Sequence, residues 1–266
     1  MIAGSTLQSP GTGPSSKPGF KRTTLAVLIV VIIIAGSVVT ALYVVSALSL
    51  TTMDFMPYSA SVSQNSTNPS SLTVVDPNGG IFVSPTARAY LMITGTVTAR
   101  GMGAKPNDVN FIESNSSGDI IFQPVIPPSS SFFSTSYTVD ITVFIPSSAH
   151  LRLIQATTVN GNIEVFGDGL VDASIVALIV TNGHISSSGV KTSSLFMADT
   201  NGNIGFTCSS SCASVTAIAT NGAVQASLTS YSTGAYTLKT VNGDIDLTLP
   251  LSPGFTMTAT STKAQD

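Results

Sequence analysis

Cysteines, histidines and paired carboxylates are the side chains here that could do chemistry, and the chain holds few of them. Cys208 and Cys212 stand four residues apart in CSSSC. In an oxidising compartment two thiols so placed are expected to close a small disulfide loop, with a chain-entropy stabilisation of roughly 2 kcal/mol. Two free thiols, or a metal site, are the alternatives. A metal site is short of ligands, because the only histidines are His150 and His184 and no second Cys pair exists. His150 has no Ser-Asp partner that the sequence can place, and His184 is expected to face solvent. Asp168, Asp172, Asp199, Asp244 and Asp246, with Glu164, line the second half of the chain. Asp244 and Asp246 have the look of a carboxylate pair for glycoside hydrolysis or lyase chemistry. No other segment repeats that pair, so a solvated acidic face is the preferred reading. There is no GxGxxG, P-loop or GxSxG pattern. No cofactor and no enzymatic activity are expected.

Composition sets the surroundings of these groups. Hydrophobic residues make up 43% of the chain and charged residues only 9%, against ~25% charged in ordinary globular domains. Ser, Thr, Asn and Gly replace the charges and give a polar, non-ionic surface. Beyond residue 50 the 13 acidic residues outnumber the bases to a net charge near −6, which argues against nucleic acid as a partner.

The elements that position these residues follow from a recurring phrase. VNGNIEV, TNGHISS, TNGNIGF, TNGAVQA and VNGDIDL place Asn160, Asn182, Asn201, Asn221 and Asn242 at steps of 22, 19, 20 and 21 residues. Counting from each Asn, positions −6, −4, +3 and +5 are mostly apolar, as in Ile154, Ala156, Ile163 and Val165. Alternation with period 2 on both sides of Asn-Gly reads as strand, turn, strand. A stack of antiparallel hairpins is one solution. The near-constant step favours the other, an all-β parallel β-helix or β-roll solenoid of ~20-residue rungs. There the five Asn residues stack as a structural ladder, and each Gly accepts a positive φ at the corner. The same offsets recur at Asn78-Gly79 (Leu72, Val74, Ile81, Val83) and, with Glu113 breaking the pattern, at Ser117-Gly118. Asn78 precedes Asn160 by close to four steps, which puts the start of the solenoid near residue 70.

Residues 1–22 read as a disordered cytoplasmic tail and 23–50 as one transmembrane helix. Leu25–Leu48 is 24 residues of nearly unbroken apolar sequence, long enough for a ~30 Å hydrocarbon core with some tilt. Lys17, Lys21 and Arg22 precede it and no base follows until Arg88. The positive-inside rule therefore puts the N-terminus in the cytoplasm, on the membrane, and residues 71–266 outside as the solenoid domain. A cleaved signal peptide is the alternative, with Val45-Ser46-Ala47 as its cleavage site. Residues 51–70 read as a linker. Asn65 and Asn115 fit the N-glycosylation sequon, in keeping with that topology.

The phrase TVNGDI, with TVDITVFIPSSAHLRLIQATTVNGNIEVFG upstream, resembles the putative-adhesin family of bacterial and archaeal envelope proteins. The resemblance covers about residues 138–262 and implies a right-handed β-solenoid-like ectodomain with no catalytic residues. The expected function is a membrane-anchored cell-surface structural or adhesin-like module. Its expected partners are glycans, envelope polymer or surface proteins, or other copies of itself. An envelope polysaccharide-acting β-helix enzyme and a filament subunit are the alternatives.

Overall fold

The alternation around Asn-Gly becomes strand, corner, strand in the computed structural model, which describes residues 51–54, 58–60, 69–100, 104–128, 135–208, 212–229 and 235–250. These residues belong to a unit spanning Ser49–Asp266. The strands are β1 (Thr51–Asp54), β2 (Tyr58–Ala60), β3 (Ser71–Asn78), β4 (Ile81–Thr86), β5 (Leu91–Arg100), β6 (Asn110–Ser116), β7 (Asp119–Val125) and β8 (Ser136–Pro146). They continue with β9 (His150–Asn160), β10 (Ile163–Asn182), β11 (Ile185–Asn201), β12 (Ile204–Cys208), β13 (Cys212–Asn221), β14 (Val224–Leu228), β15 (Tyr236–Asn242) and β16 (Ile245–Thr248). Among the described residues the only helix is a 3-10 turn, Pro106–Asp108, so the described part of the chain is an all-β solenoid.

Two parallel ladders run along it. The strands leading into each Asn pair in the order β3, β9, β10, β11, β13, β15, with Asn78, Asn160, Asn182, Asn201, Asn221 and Asn242 in register. The strands leaving each Gly pair in the order β4, β10, β11, β12, β14, β16, with Ile81, Ile163, Ile185, Ile204, Val224 and Ile245 in register. β10 and β11 are long because each serves both ladders, bending at a second corner where Asp168, Gly169 and Gly189 take φ of 45°, 75° and 64°. The inward residues fill the space between the ladders. Leu72, Ile154, Val176, Val215, Ile81, Ile163, Ile185, Ile204 and Val224 are all at most 1% exposed. On the last described rung Val241 and Ile245 are 58% and 46% exposed.

Three features differ from the sequence reading. First, Asn78 lies directly against Asn160, so the four steps between them are not rungs. Residues 87–149 form an excursion instead, in which β7 and β8 extend the two ladders by pairing parallel with β3 and β4. Within it β5 pairs antiparallel with β8, and β6 and β7 make an antiparallel hairpin turned at Ser117 and Gly118, with φ of 54° and 89°. Ser117-Gly118 imitated a rung corner because a tight hairpin needs the same alternation and the same turn residues. Second, β1 and β2 pair antiparallel with β5, so strands occupy part of the 51–70 stretch read as linker. Third, Gly161, Gly202 and Gly243 do not have a positive φ. What excludes a side chain there is the neighbouring rung: a Cβ on Gly161 would lie 1.8 Å from Gly79 O.

The stretch Leu25–Leu48 lies outside the described residues, as does Asn65. Among the described residues no helix is long and apolar enough to cross a membrane.

Candidate functional site

The Asn residues form a continuous line of side-chain hydrogen bonds. Nδ2 of Asn182 donates to Oδ1 of Asn160 at 2.9 Å, and Asn201, Asn221 and Asn242 each donate to the Asn one rung back at 2.8 Å. A second amide row sits two residues on. There the backbone N–H of His184 donates to Asn162 Oδ1 and that of Ala223 donates to Asn203 Oδ1. Amides carry no proton to transfer near neutral pH, so these rows hold the corners and do no acid-base work.

On the opposite ladder the outward side chains form a shallow groove of about 370 Å³, lined by Phe166, Ser186, Gly205, Thr207, Gln225 and Asp246 among others. Phe166, 39% exposed, packs against Phe82 at 5.5 Å between ring centroids and walls one end. The floor is open at Gly205, where a Cβ would meet nothing nearer than Ile185 O at 4.0 Å. An aromatic face beside hydroxyl and amide groups repeating at the ~4.8 Å rung spacing can hold a flat, hydroxyl-rich ligand by stacking and hydrogen bonds. Asp246 reaches this groove, whereas Asp244 sits at the corner, its carbonyl accepting from Val224 N–H.

His150 is placed between two side chains of the next rung. Its Nδ1 lies 2.8 Å from Asp172 Oδ1 and its Nε2 lies 3.1 Å from Ser174 Oγ. This is the atom order of an activated serine, but His150 and Asp172 are 58% and 41% exposed and none of the three lines the groove. The sequence held a signal for the pairing that was missed: Asp172 follows His150 by 22 residues, the same step as from Asn160 to Asn182. Nearby, Arg152 reaches Asp119 at 3.7 Å. Ser71 donates to Asp119 at 2.6 Å, and that bond is the largest effect holding the Asp119 carboxyl below its usual range. His184 lies 3.5 Å from Glu164 and is half-buried.

Cys208 and Cys212 form a disulfide across the second corner of their rung and are 2% and 3% exposed. Asn115 is exposed near the end of β6. Two carboxylates are buried: Asp76, which the sequence reading did not single out, and Asp199, which it placed on a solvated acidic face but which the inward alternation of β11 turns into the core. Asp76 is fully buried and burial pushes its carboxyl up to about 7, with the Asp140 charge adding to the rise and the Asn78 N–H opposing it. Asp199 is 2% exposed and burial pushes it up to about 6 against the pull of the Asn201 N–H and His184. Both stand two residues before a ladder Asn, where the inward alternation would have flagged them. No group of three or more metal-ligating side chains exists among the described residues.

Fold and geometry thus define a parallel β-solenoid with polar outer columns. The chain belongs to the Toastrack DUF4097 family, whose pattern it matches over residues 101–265. Among solved structures it is similar to a putative cell adhesion protein from Clostridium sporogenes, with 9% identity, TM-score 0.45, and 75% of this chain and 99% of that chain covered. It is also similar to a putative adhesin from Bacteroides fragilis, with 10% identity, TM-score 0.33, and coverage of 76% and 98%. No curated protein matches the chain.

Proposed function

We propose that this protein is a membrane-anchored surface module that displays its solenoid outside the cell and works by contact, without catalysis. The apolar stretch Leu25–Leu48 with Lys17, Lys21 and Arg22 before it supports the anchor and its orientation. The sequon at exposed Asn115 and the Cys208–Cys212 disulfide fit an extracytoplasmic location. The observation that carries the contact reading is the groove walled by Phe166 and floored by Gly205. Its ligand class is glycan or envelope polymer, whose hydroxyls match the Ser, Thr and Gln side chains lining it. The test is binding of the full chain, in detergent micelles, to a glycan and envelope-polymer panel, with Gly205→Leu as the control. Leucine fills the groove where the backbone leaves room, so it is expected to abolish binding while the circular dichroism spectrum stays the same. Binding untouched by Gly205→Leu refutes the groove, and no binding across the panel withdraws adhesion and leaves a structural role.

A second reading is an assembly subunit, favoured by exposed Val241 and Ile245 on the last described rung. Sedimentation would show mass rising with concentration, and an invariant monomer mass refutes it.

A further inference from the structure

The inward position two residues before each ladder Asn is occupied in turn by Asp76, Thr158, Val180, Asp199, Ala219 and Thr240. The threonines show what a polar side chain does there. Thr158 Oγ1 donates to Gly79 O at 2.9 Å and Thr240 Oγ1 donates to Gly222 O at 2.8 Å, each reaching the corner carbonyl one rung back. The space over the adjacent glycine records the same arrangement at the aspartates. A Cβ on Gly243 would lie 2.1 Å from Gly222 O and 3.1 Å from Thr240 Oγ1. One on Gly202 would lie 1.5 Å from Gly183 O and 2.8 Å from Asp199 Oδ2, and one on Gly79 would lie 2.0 Å from Val139 O and 2.8 Å from Asp76 Oδ2. A carboxyl oxygen therefore stands in the place of the threonine hydroxyl, beside a backbone carbonyl.

An ionised carboxylate only accepts hydrogen bonds, so against a carbonyl it finds repulsion and no bond, whereas a carboxylic acid has one O–H to donate. Asp76 Oδ2 and both oxygens of Asp199 are buried and receive no well-formed hydrogen bond, the Asn201 N–H acting on Asp199 from outside bonding geometry. Val180 and Ala219 fill the same position on neighbouring rungs, so packing does not demand a carboxyl there.

We propose that Asp76 and Asp199 act as buried carboxylic acids, each donating its proton to the backbone carbonyl beside it (Val139 O within β8 and Gly183 O at the preceding corner), so that these two contacts lock in mild acid and loosen when the protons leave.

The groups facing each site decide the direction. Asp76 faces Asp140 of β8, which accepts from Gly80 N–H at 3.0 Å and whose negative charge disfavours ionisation of Asp76. On the other side stands uncharged Thr158 of β9. Asp199 faces uncharged Val180 of β10 and Ala219 of β13 in register, with His184 and, beyond it, Glu164 as the nearby charges. Both carboxyls are raised in the folded state, to about 7 for Asp76 and about 6 for Asp199, above the ~3.9 of an unfolded Asp. Folding therefore takes up protons. The associated stability is fully present below about pH 4 and is lost as pH rises through 6 and 7.

The test is urea unfolding of the full chain in detergent micelles from pH 4.5 to 8, comparing the native sequence with Asp199→Thr and Asp76→Thr. Threonine restores a proton that pH does not remove. The native folding equilibrium constant is expected to fall between those limits, with about twenty- to thirtyfold of the fall removed by Asp199→Thr and about two-hundredfold by Asp76→Thr. Carboxyl carbon NMR of the native chain provides the check that needs no variant, with two Asp resonances expected to titrate near 6 and 7. A flat native profile, slopes unchanged in both variants, or all Asp resonances titrating near 4 overturns the proposal.

Discussion

Two glycines three residues apart give opposite answers to the same added methyl. A Cβ on Gly202 would stand 1.5 Å from Gly183 O, whereas real Cβ contacts stay beyond 3.0 Å, so the rungs must part by at least 1.5 Å. Both atoms at the clash belong to backbone held in ladders, and neither has a rotamer to escape into. Parting them breaks the bonds from Gly183 N–H to Asn201 O and from Ile185 N–H to Asn203 O, together with the 2.8 Å Asn201–Asn182 side-chain bond. At about 1 kcal/mol each, Gly202→Ala is expected to cost about 3 kcal/mol. At Gly205 the same methyl enters open space on an extended strand. There Ala restricts the unfolded chain and is expected to stabilise by about 0.4–1 kcal/mol. The assay is urea unfolding followed by the β-sheet circular dichroism band, at one pH and one protein concentration. Equal shifts for the two variants, or a larger loss from Gly205→Ala, would refute the rung-contact reasoning.

Reduction of the Cys208–Cys212 disulfide should lower stability by roughly 2 kcal/mol, read as a lower urea midpoint in the presence of a phosphine reductant. No change on reduction would mean that the corner is held by its ladders alone. Asn201→Ala removes one side-chain bond on each side of its rung. Because these amides are solvent-exposed, the expected loss is about 1–2 kcal/mol, smaller than for Gly202→Ala, and a loss above that of Gly202→Ala contradicts the ranking.

The solenoid was legible because its constraint is periodic. Superimposed rungs force the same offsets of Ile163, Ile185, Ile204, Val224 and Ile245 from each Asn, and a period shows in one sequence without any relative. The excursion at 87–149 was not legible, because antiparallel strands such as β5 and β6 alternate just as rungs do and nothing local marks which partner a strand takes. The apposition of β3 and β9 is a contact across that whole insertion. Of the polar groups, the Asn ladder falls on the periodic positions themselves. His150 with Asp172, and Asp76 and Asp199, required the step to be carried to other offsets. The groove at Gly205 depends on five strands lying side by side, which no single repeat announces.

The side-chain ladder has a direction. Every Nδ2 from Asn182 to Asn242 points back to the preceding rung, and every Oδ1 from Asn160 to Asn221 is offered to the following one. Each rung between Asn182 and Asn221 therefore presents the same socket on one side and the same plug on the other, whatever its outward residues are. A rung of this kind can be duplicated or deleted whole, as a stretch of ~20 residues, without remaking either end of the stack. The reach of the molecule is then adjustable in increments of ~4.8 Å. Its length and its outward chemistry are free to drift separately, because the contacts that fix the rung spacing are not the ones that face outward.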